Sequence, residues 1–363
     1  MKRTVFFLSM LATGLLVSSC SNDLDEGQEA AGSGGKPISF NVWERKQLRS
    51  ETTTDIKDFR LLAADEMGKT LIDGLEVTGK DTHWSYSPLG LWPETETTQV
   101  NFYAFSPAEA HGVTNALAGQ TGPSPTINYA LPGHSVNASR PLSNQEDLLV
   151  AHHTGTFFAE GVSGVNLNFR HALSRVLFKA KSEGSLGFTV LGIALKNIKG
   201  SGTLNLASLP KDATTFVYPT TTATLADPGY RVYWDTSADT NGDLVANLET
   251  GVEIAGDGEY HNIVALYVIP QTNEASDLKK TTELTEGSGT GTFTKFYIEI
   301  TYKEVGQTDS EAKTYAVPVP AIVGDATASS IAFEIERQYT FQFELFSHGL
   351  ASISALPESI DED

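Results

Sequence analysis

"KFYIEITY" (Lys295 to Tyr302) decides the fold class. Phe296, Ile298, Ile300 and Tyr302 alternate with Tyr297, Glu299 and Thr301, and successive side chains of a strand point to opposite faces. The same period of two recurs in "VNLNF" (Val165, Leu167, Phe169) and in "YTFQFEL" (Tyr339, Phe341, Phe343, Leu345). "TYAVPVP" (314–320) alternates as well, but Pro318 and Pro320 cannot donate ladder hydrogen bonds, which demotes it to an edge strand. "DFRLLAAD", "VNFYAFSP", "DLLVAHH", "RVLFKAK", "FTVLGIALKNI" and "IVALYVIP" extend the set of candidate strands. Long segments of 3.6 periodicity are missing. The sequence therefore predicts an all-β protein of antiparallel sandwiches, each with one solvated face.

Working outward, the N-terminal residues read as an export leader. Lys2 and Arg3 precede an apolar stretch from Val5 to Val17 that ends in Ser18, Ser19 and Cys20. Such a run is too short to span a bilayer as a mature helix. "LLVSSC" fits a lipobox, in which the cysteine becomes the acylated first residue; an ordinary signal peptide ending near a cysteine is the alternative. Cys20 is the sole cysteine in 363 residues, so an intramolecular disulfide does not account for it. The expectation is a lipoprotein signal peptide over 1–19 and lipid attachment at Cys20. Residues 20–35 are acidic and then rich in Gly, Ala and Ser, the composition of a flexible tether.

The remaining length suits two domains. A turn cluster from Ser182 to Gly187 places the break near Ser185, giving an N-terminal sandwich over 36–184 and a C-terminal one over 185–363. The polar stretches Glu109–Asn144 and Ser208–Asp243 read as loops, the second with a short strand at "YRVYW" (Tyr230 to Trp234). Acidic residues outnumber basic ones 45 to 25, for a formal net charge of -20. Phosphate recognition needs clustered positive charge, so nucleic acid is excluded as a partner.

No constellation carries catalysis, and no cofactor is expected. His152 and His153 are adjacent beside Asp147, but neighbours in a strand face opposite ways and do not chelate one ion together. Asp239, Asn241 and Asp243 stand at alternate positions, as in a calcium loop. Gly242 precedes the third ligand, however, and no glutamate closes the loop, so an Asp/Asn/Gly turn competes with calcium binding. "GHSVN" (Gly133 to Asn137) lacks the last glycine of a nucleophile elbow. "GSGTGT" (Gly287 to Thr292) is followed by a strand and reads as a hairpin loop.

"KPISFNVWERKQLRSETTT" (Lys36 to Thr54) poses the functional question. Ile38, Phe40 and Val42 alternate with Ser39 and Asn41, and then Arg45, Lys46 and Arg49 crowd into five residues of an acidic chain. One reading is that these are gatekeeper charges flanking an aggregation-prone strand.

A family resemblance supplies the other. "HWSYSP" (83–88), "LWP" (91–93), "VNFYAFSP" (100–107), "QEDLLVA" (145–151), "VNLNFRHALSRVLF" (165–178), "YVIPQ" (267–271) and "RQYTFQF" (337–343) occur in one order behind a lipobox. Together they resemble the fimbrillin family of Bacteroidetes lipoproteins, the subunits of type V pili, over nearly the whole chain from Ile38 to Phe343. The resemblance implies two transthyretin-like β-sandwich domains in tandem and a precursor lipidated at the outer membrane and exported to the cell surface. It also implies an arginine-specific protease that removes the leader together with the first strand. A neighbouring subunit's strand then fills the vacated groove. On that view Ile38, Phe40 and Val42 form the displaceable strand, and Arg45 or Arg49 is the cleavage point. The partners are other fimbrial subunits. The C-terminal "SHGLASISALPESIDED" departs from the pattern: only Ala351, Ile353 and Ala355 alternate with polar residues, a weak donor strand. Shaft, tip and anchor roles all stay open. The alternative is a non-polymerising surface lipoprotein that binds host protein or glycan, its four tryptophans and twelve tyrosines serving as stacking platforms. Trp84 and Trp92 read as sandwich core.

Overall fold

The computed structural model describes residues 35–44, 56–80, 83–115, 117–121, 123–135, 145–161, 163–209, 234–274, 281–284, 293, 295–318, 329–347 and 349–359. Cys20, Arg45 and Arg49 lie outside them. The chain first forms β1 (Phe40–Glu44), β2 (Asp58–Asp65), β3 (Thr70–Lys80), β4 (His83–Ser85) and β5 (Val100–Ser106). After β6 (Thr126–Ala130) and β7 (His134–Ser135) come β8 (Leu149–Gly155), the single turn α1 (Phe157–Glu160) and β9 (Val165–His171). The second half holds β10 (Ser174–Ser182), β11 (Phe188–Ile198), β12 (Ser201–Asn205), β13 (Trp234–Asp235), β14 (Gly242–Ile254), β15 (His261–Val268) and β16 (Gln271–Glu274). It ends with β17 (Thr282–Leu284), β18 (Tyr297–Glu304), β19 (Lys313–Pro318), β20 (Ser330–Phe333), β21 (Arg337–Phe346) and β22 (Gly349–Ser359). The protein is all-β, as the alternation predicts.

A seven-stranded sheet of order β1-β9-β8-β5-β2-β3-β4 carries the N-terminal part. Its central strands are buried on both faces, and this explains their nearly unbroken apolar runs. Leu61, Phe102, Ala104 and Ala151 face a core formed by residues 38–169. Their neighbours Leu62, Tyr103, Phe105 and Val150 face a second core, shared with Ile127 and Tyr129 and with the strands of the second half. That half is built mainly from a four-stranded sheet, β15-β10-β21-β22, and a six-stranded one, β17-β19-β18-β11-β14-β7.

Four details differ from the sequence reading. Among the described residues pairing is antiparallel except between β1 and β9 and between β10 and β21, which run parallel. Parallel neighbours need long crossovers, and single-strand periodicity carries no sign of which distant strand will pair. β10 lies on the N-terminal side of Ser185 yet pairs with β15 and β21. The change of sheet therefore falls at Ala172 and Leu173; the Ser182–Gly187 cluster only turns the chain from β10 into β11. The Glu109–Asn144 stretch is not all loop, since β6 pairs with β12 and β7 with β14. Only Ile127 and Tyr129 alternate in β6, too short a signal to register. Finally, β19 is not an edge: β17 covers Thr314, Tyr315 and Ala316, and stops short of Pro318.

Where the sheets change, the contacts are polar and buried. Arg170 at the end of β9 pairs with Glu336 just before β21 at 2.5 Å, both side chains 6% exposed. The Ser174 hydroxyl donates to the Glu334 carbonyl, and the Trp234 indole N–H donates to the Ala172 carbonyl at 2.8 Å. Glu336 has φ of 62°, the left-handed region that non-glycine residues seldom occupy.

Candidate functional site

The first strand enters where the predicted alternation places it. Ile38, Phe40 and Val42 are 2%, 4% and 3% exposed and point into the N-terminal core, while Ser39 is exposed and Asn41 half-buried. Two rails hold its backbone. On one side β1 pairs in parallel with β9, Phe40 opposite Val165 and Val42 opposite Leu167, and the Val165 N–H donates to the Ser39 carbonyl at 2.8 Å. On the other, residues 36–38 meet the segment after β4: the Ile38 N–H donates to the Gly90 carbonyl at 3.0 Å, and the Trp92 N–H to the Lys36 carbonyl at 2.9 Å. A strand from Lys36 to Val42 thus closes the gap between the β9 edge and Gly90–Trp92.

Side chains reinforce the backbone. The Phe40 ring sits among Phe59 at 6.2 Å, Tyr86 at 5.6 Å and Phe102 at 6.2 Å, the two phenylalanines edge-on. Edge-to-face packing of this kind adds to the burial of area. Asn41 donates from its side-chain amide to the Ser163 carbonyl at 2.6 Å. Lys36 pairs with Glu96, and its ammonium lies 3.8 Å from the centre of the Phe157 ring.

Tyr86 ties the strand to its second rail. Its hydroxyl donates to the Ile38 carbonyl at 2.9 Å and accepts from the Gly90 N–H at 3.2 Å. Burial pushes its pKa up to about 12, only partly opposed by the Gly90 donor, so the hydroxyl keeps its proton and can donate. Tyr86→Phe is expected to cost about 1–3 kcal/mol in urea unfolding, since buried backbone groups lose their partner. A loss within error of zero would refute the tie. Because the folded pKa is raised, this stabilisation is complete below the ordinary tyrosine value of 10.0 and is lost as pH rises through about 12.

The other candidates are placed as follows. The Asp239 carboxylate accepts from the backbone N–H groups of Gly200 and Ser201 at 2.7 and 2.8 Å. Burial pushes its pKa up, but these donors outweigh that push and hold the carboxyl below its ordinary range. Asp243 instead pairs with Lys196 at 2.5 Å and accepts from the Asn197 N–H at 3.2 Å. Among the described residues no group of three or more His, Cys, Asp or Glu is arranged to hold a metal. His152 stacks on Tyr103 with centroids 4.6 Å apart, whereas His153 meets Glu160 at 2.6 Å on the other side. Asp147 pairs with His171. Trp92 is buried against Phe102, and the half-buried Trp84 packs on Phe59, so both serve the core.

Sequence reasoning missed the second rail and the Tyr86 tie. "HWSYSP" and "LWP" hold Tyr86 and Trp92, but nothing in their spacing says that they line the seat of a strand some fifty residues earlier. No helix among the described residues is long and apolar enough to cross a membrane.

Comparison with known proteins supplies the context. The model of the Fimbrillin-like family matches residues 46–345. A search of curated proteins returns no match in sequence. Among solved structures, a fimbrial protein from Bacteroides vulgatus has a TM-score of 0.52 and 16% identity, covering 89% of this chain and 99% of its own. A Bacteroides ovatus protein assigned to cell adhesion has a TM-score of 0.50 and 14% identity, covering 91% and 100%. At such identities the structures speak for the fold, while the family match spans most of the sequence. The chain belongs to the fimbrillin-like family.

Proposed function

We propose that this protein is a structural subunit of cell-surface fimbriae, assembled by proteolysis-triggered exchange of its first strand. The reading has the chain exported as a lipoprotein acylated at Cys20 and held at the outer membrane. It has the chain folded as two tandem transthyretin-like sandwiches, with the sheet change at Ala172–Leu173 as their divide. An arginine-specific protease cuts at Arg45 or Arg49 and frees Ile38, Phe40 and Val42. A neighbouring subunit's strand then occupies the seat.

The observation that carries the proposal is the seat itself. β1 belongs to the N-terminal core yet lies at the edge of its sheet, and a basic segment follows it directly in the sequence. Burial of three such side chains stabilises by about 1.5–3 kcal/mol each. Their sum is comparable to the roughly 5–15 kcal/mol net stability of a whole domain. An empty seat is therefore not a resting state. Its bared backbone and apolar floor would template an incoming strand, the logic of β-strand addition.

The test combines N-terminal sequencing of surface protein with a double substitution. Surface protein is expected to begin after Arg45 or Arg49 and to form oligomers that resist mild detergent. Arg45→Ala with Arg49→Ala is expected to block both cleavage and assembly while leaving the fold intact. A double variant that still assembles, or a cleaved wild type that stays monomeric, would sink the proposal and leave the basic residues as gatekeepers.

A further inference from the structure

The seat of β1 has unequal subsites. Ile38 and Val42 occupy the outer two, and Phe40 occupies the middle one between Phe59, Tyr86 and Phe102. All three side chains are almost wholly removed from solvent. Three rings around a fourth leave a space that a ring-sized side chain fills. A smaller group leaves an apolar void that water does not repay and that strips the surrounding rings of contacts.

The donor weighed for a second copy is β22, the last strand among the described residues and an edge of the four-stranded sheet. The opposite edge of that sheet, β15, is tied down at Tyr267. The Tyr267 N–H donates to the Gln145 side-chain oxygen at 2.9 Å, and the Gln145 amide donates back to the Tyr267 carbonyl at 3.2 Å. From Gly349 to Asp363 the sequence contains no aromatic residue. In one phase it offers Ala351, Ile353 and Ala355 to three successive subsites, smaller than Ile38, Phe40 and Val42 at every one. In the other phase it offers Leu350, Ser352 and Ser354, and so sets two hydroxyls into an apolar seat.

We infer that the seat of β1 accepts a strand bearing an aromatic residue at its centre and branched aliphatic residues two positions to either side, and that this strand belongs to a different chain rather than to a second copy. The inference rests on the strand-exchange reading above and deepens it. The protein receives a partner that it does not itself resemble at the donor end, so a fibre of this chain alone is disfavoured.

Three labelled peptides test this against the full chain carrying Phe40→Ala, whose own strand is loosened. They are the sequence of residues 36–44, the same peptide carrying Phe40→Ala, and the sequence of residues 349–359. Binding is read by fluorescence anisotropy, and repeated with wild-type protein cleaved by an arginine-specific protease in case the variant folds poorly. The first peptide is expected to bind, and the other two to bind at least a hundredfold more weakly, the scale of a phenylalanine-to-alanine loss in a core. If the 349–359 peptide binds within tenfold of the first, the inference of a foreign donor is overturned while strand exchange stands. If the alanine peptide does so, the aromatic subsite is overturned. If no peptide binds to either protein, strand exchange itself is overturned.

Discussion

Phe40→Ala in the intact chain is expected to lower the unfolding free energy by about 3–5 kcal/mol, as large-to-small changes of a buried aromatic do. Phe40 is 4% exposed, and its ring meets three others that belong to β2, β5 and the turn after β4. Those walls come from two strands of one sheet and the turn after β4, and cannot all close on the gap. The void therefore persists, and the cost sits toward the upper part of the range. Urea unfolding measures it directly. A companion Ile38→Val, which removes one methylene from an outer subsite, is expected to cost only about 0.5–1.5 kcal/mol. If Phe40→Ala were no worse than Ile38→Val, the middle subsite would not be the anchor of the strand.

Arg170→Met carries an effect of similar size by a different route. Arg170 and Glu336 are each 6% exposed and 2.5 Å apart. Removing the guanidinium leaves a carboxylate desolvated, which costs about 3–5 kcal/mol, whereas replacing both members by apolar residues is often neutral or stabilising. Arg170→Met with Glu336→Leu is thus expected to recover most of the loss. The two variants separate the cost of an orphaned charge from the worth of the pair. A single variant within 1 kcal/mol of wild type would show that Glu336 is readily solvated or re-paired. Glu336 also sits at a positive φ, so a second test is Glu336→Gly. It removes the charge and relaxes the backbone together, and should destabilise less than Glu336→Leu alone.

Much of this was legible in the chain. The strands "VNLNF", "KFYIEITY" and "YTFQFEL" are β9, β18 and β21 because alternation is a local property, written residue by residue. The buried set Ile38, Phe40 and Val42 was legible for the same reason. The partner of each strand was not. Nothing in "ISFNV" announces a parallel neighbour at Val165–Phe169, since pairing across more than a hundred residues is settled by the whole core. The short strands β6 and β7 escaped because they carry too few apolar positions to show a period. The Tyr86 hydroxyl between the first strand and its second rail was out of reach as well: one polar atom leaves no periodic trace. The apparent calcium loop shows why one pattern of residues supports two readings. Asp239, Asn241 and Asp243 alternate as ligands do, but Asp239 caps the backbone at Gly200 and Ser201. Side-chain capping of backbone N–H groups and cation binding draw on the same residue types.

The parallel register of β1 on β9 has a mechanical consequence. Ladder bonds between parallel strands are evenly spaced along the pair. A load drawn along β1 from its Lys36 end therefore tries to slide the strand past β9, and strains the ladder bonds and the three buried side chains together. A competing strand that invades from the other end meets one bond and one subsite at a time. Each step replaces what it breaks before the next begins. The same strand is thus stiff against tugging and permissive toward stepwise replacement, a pairing of traits that keeps the seat filled until the exchange proposed above.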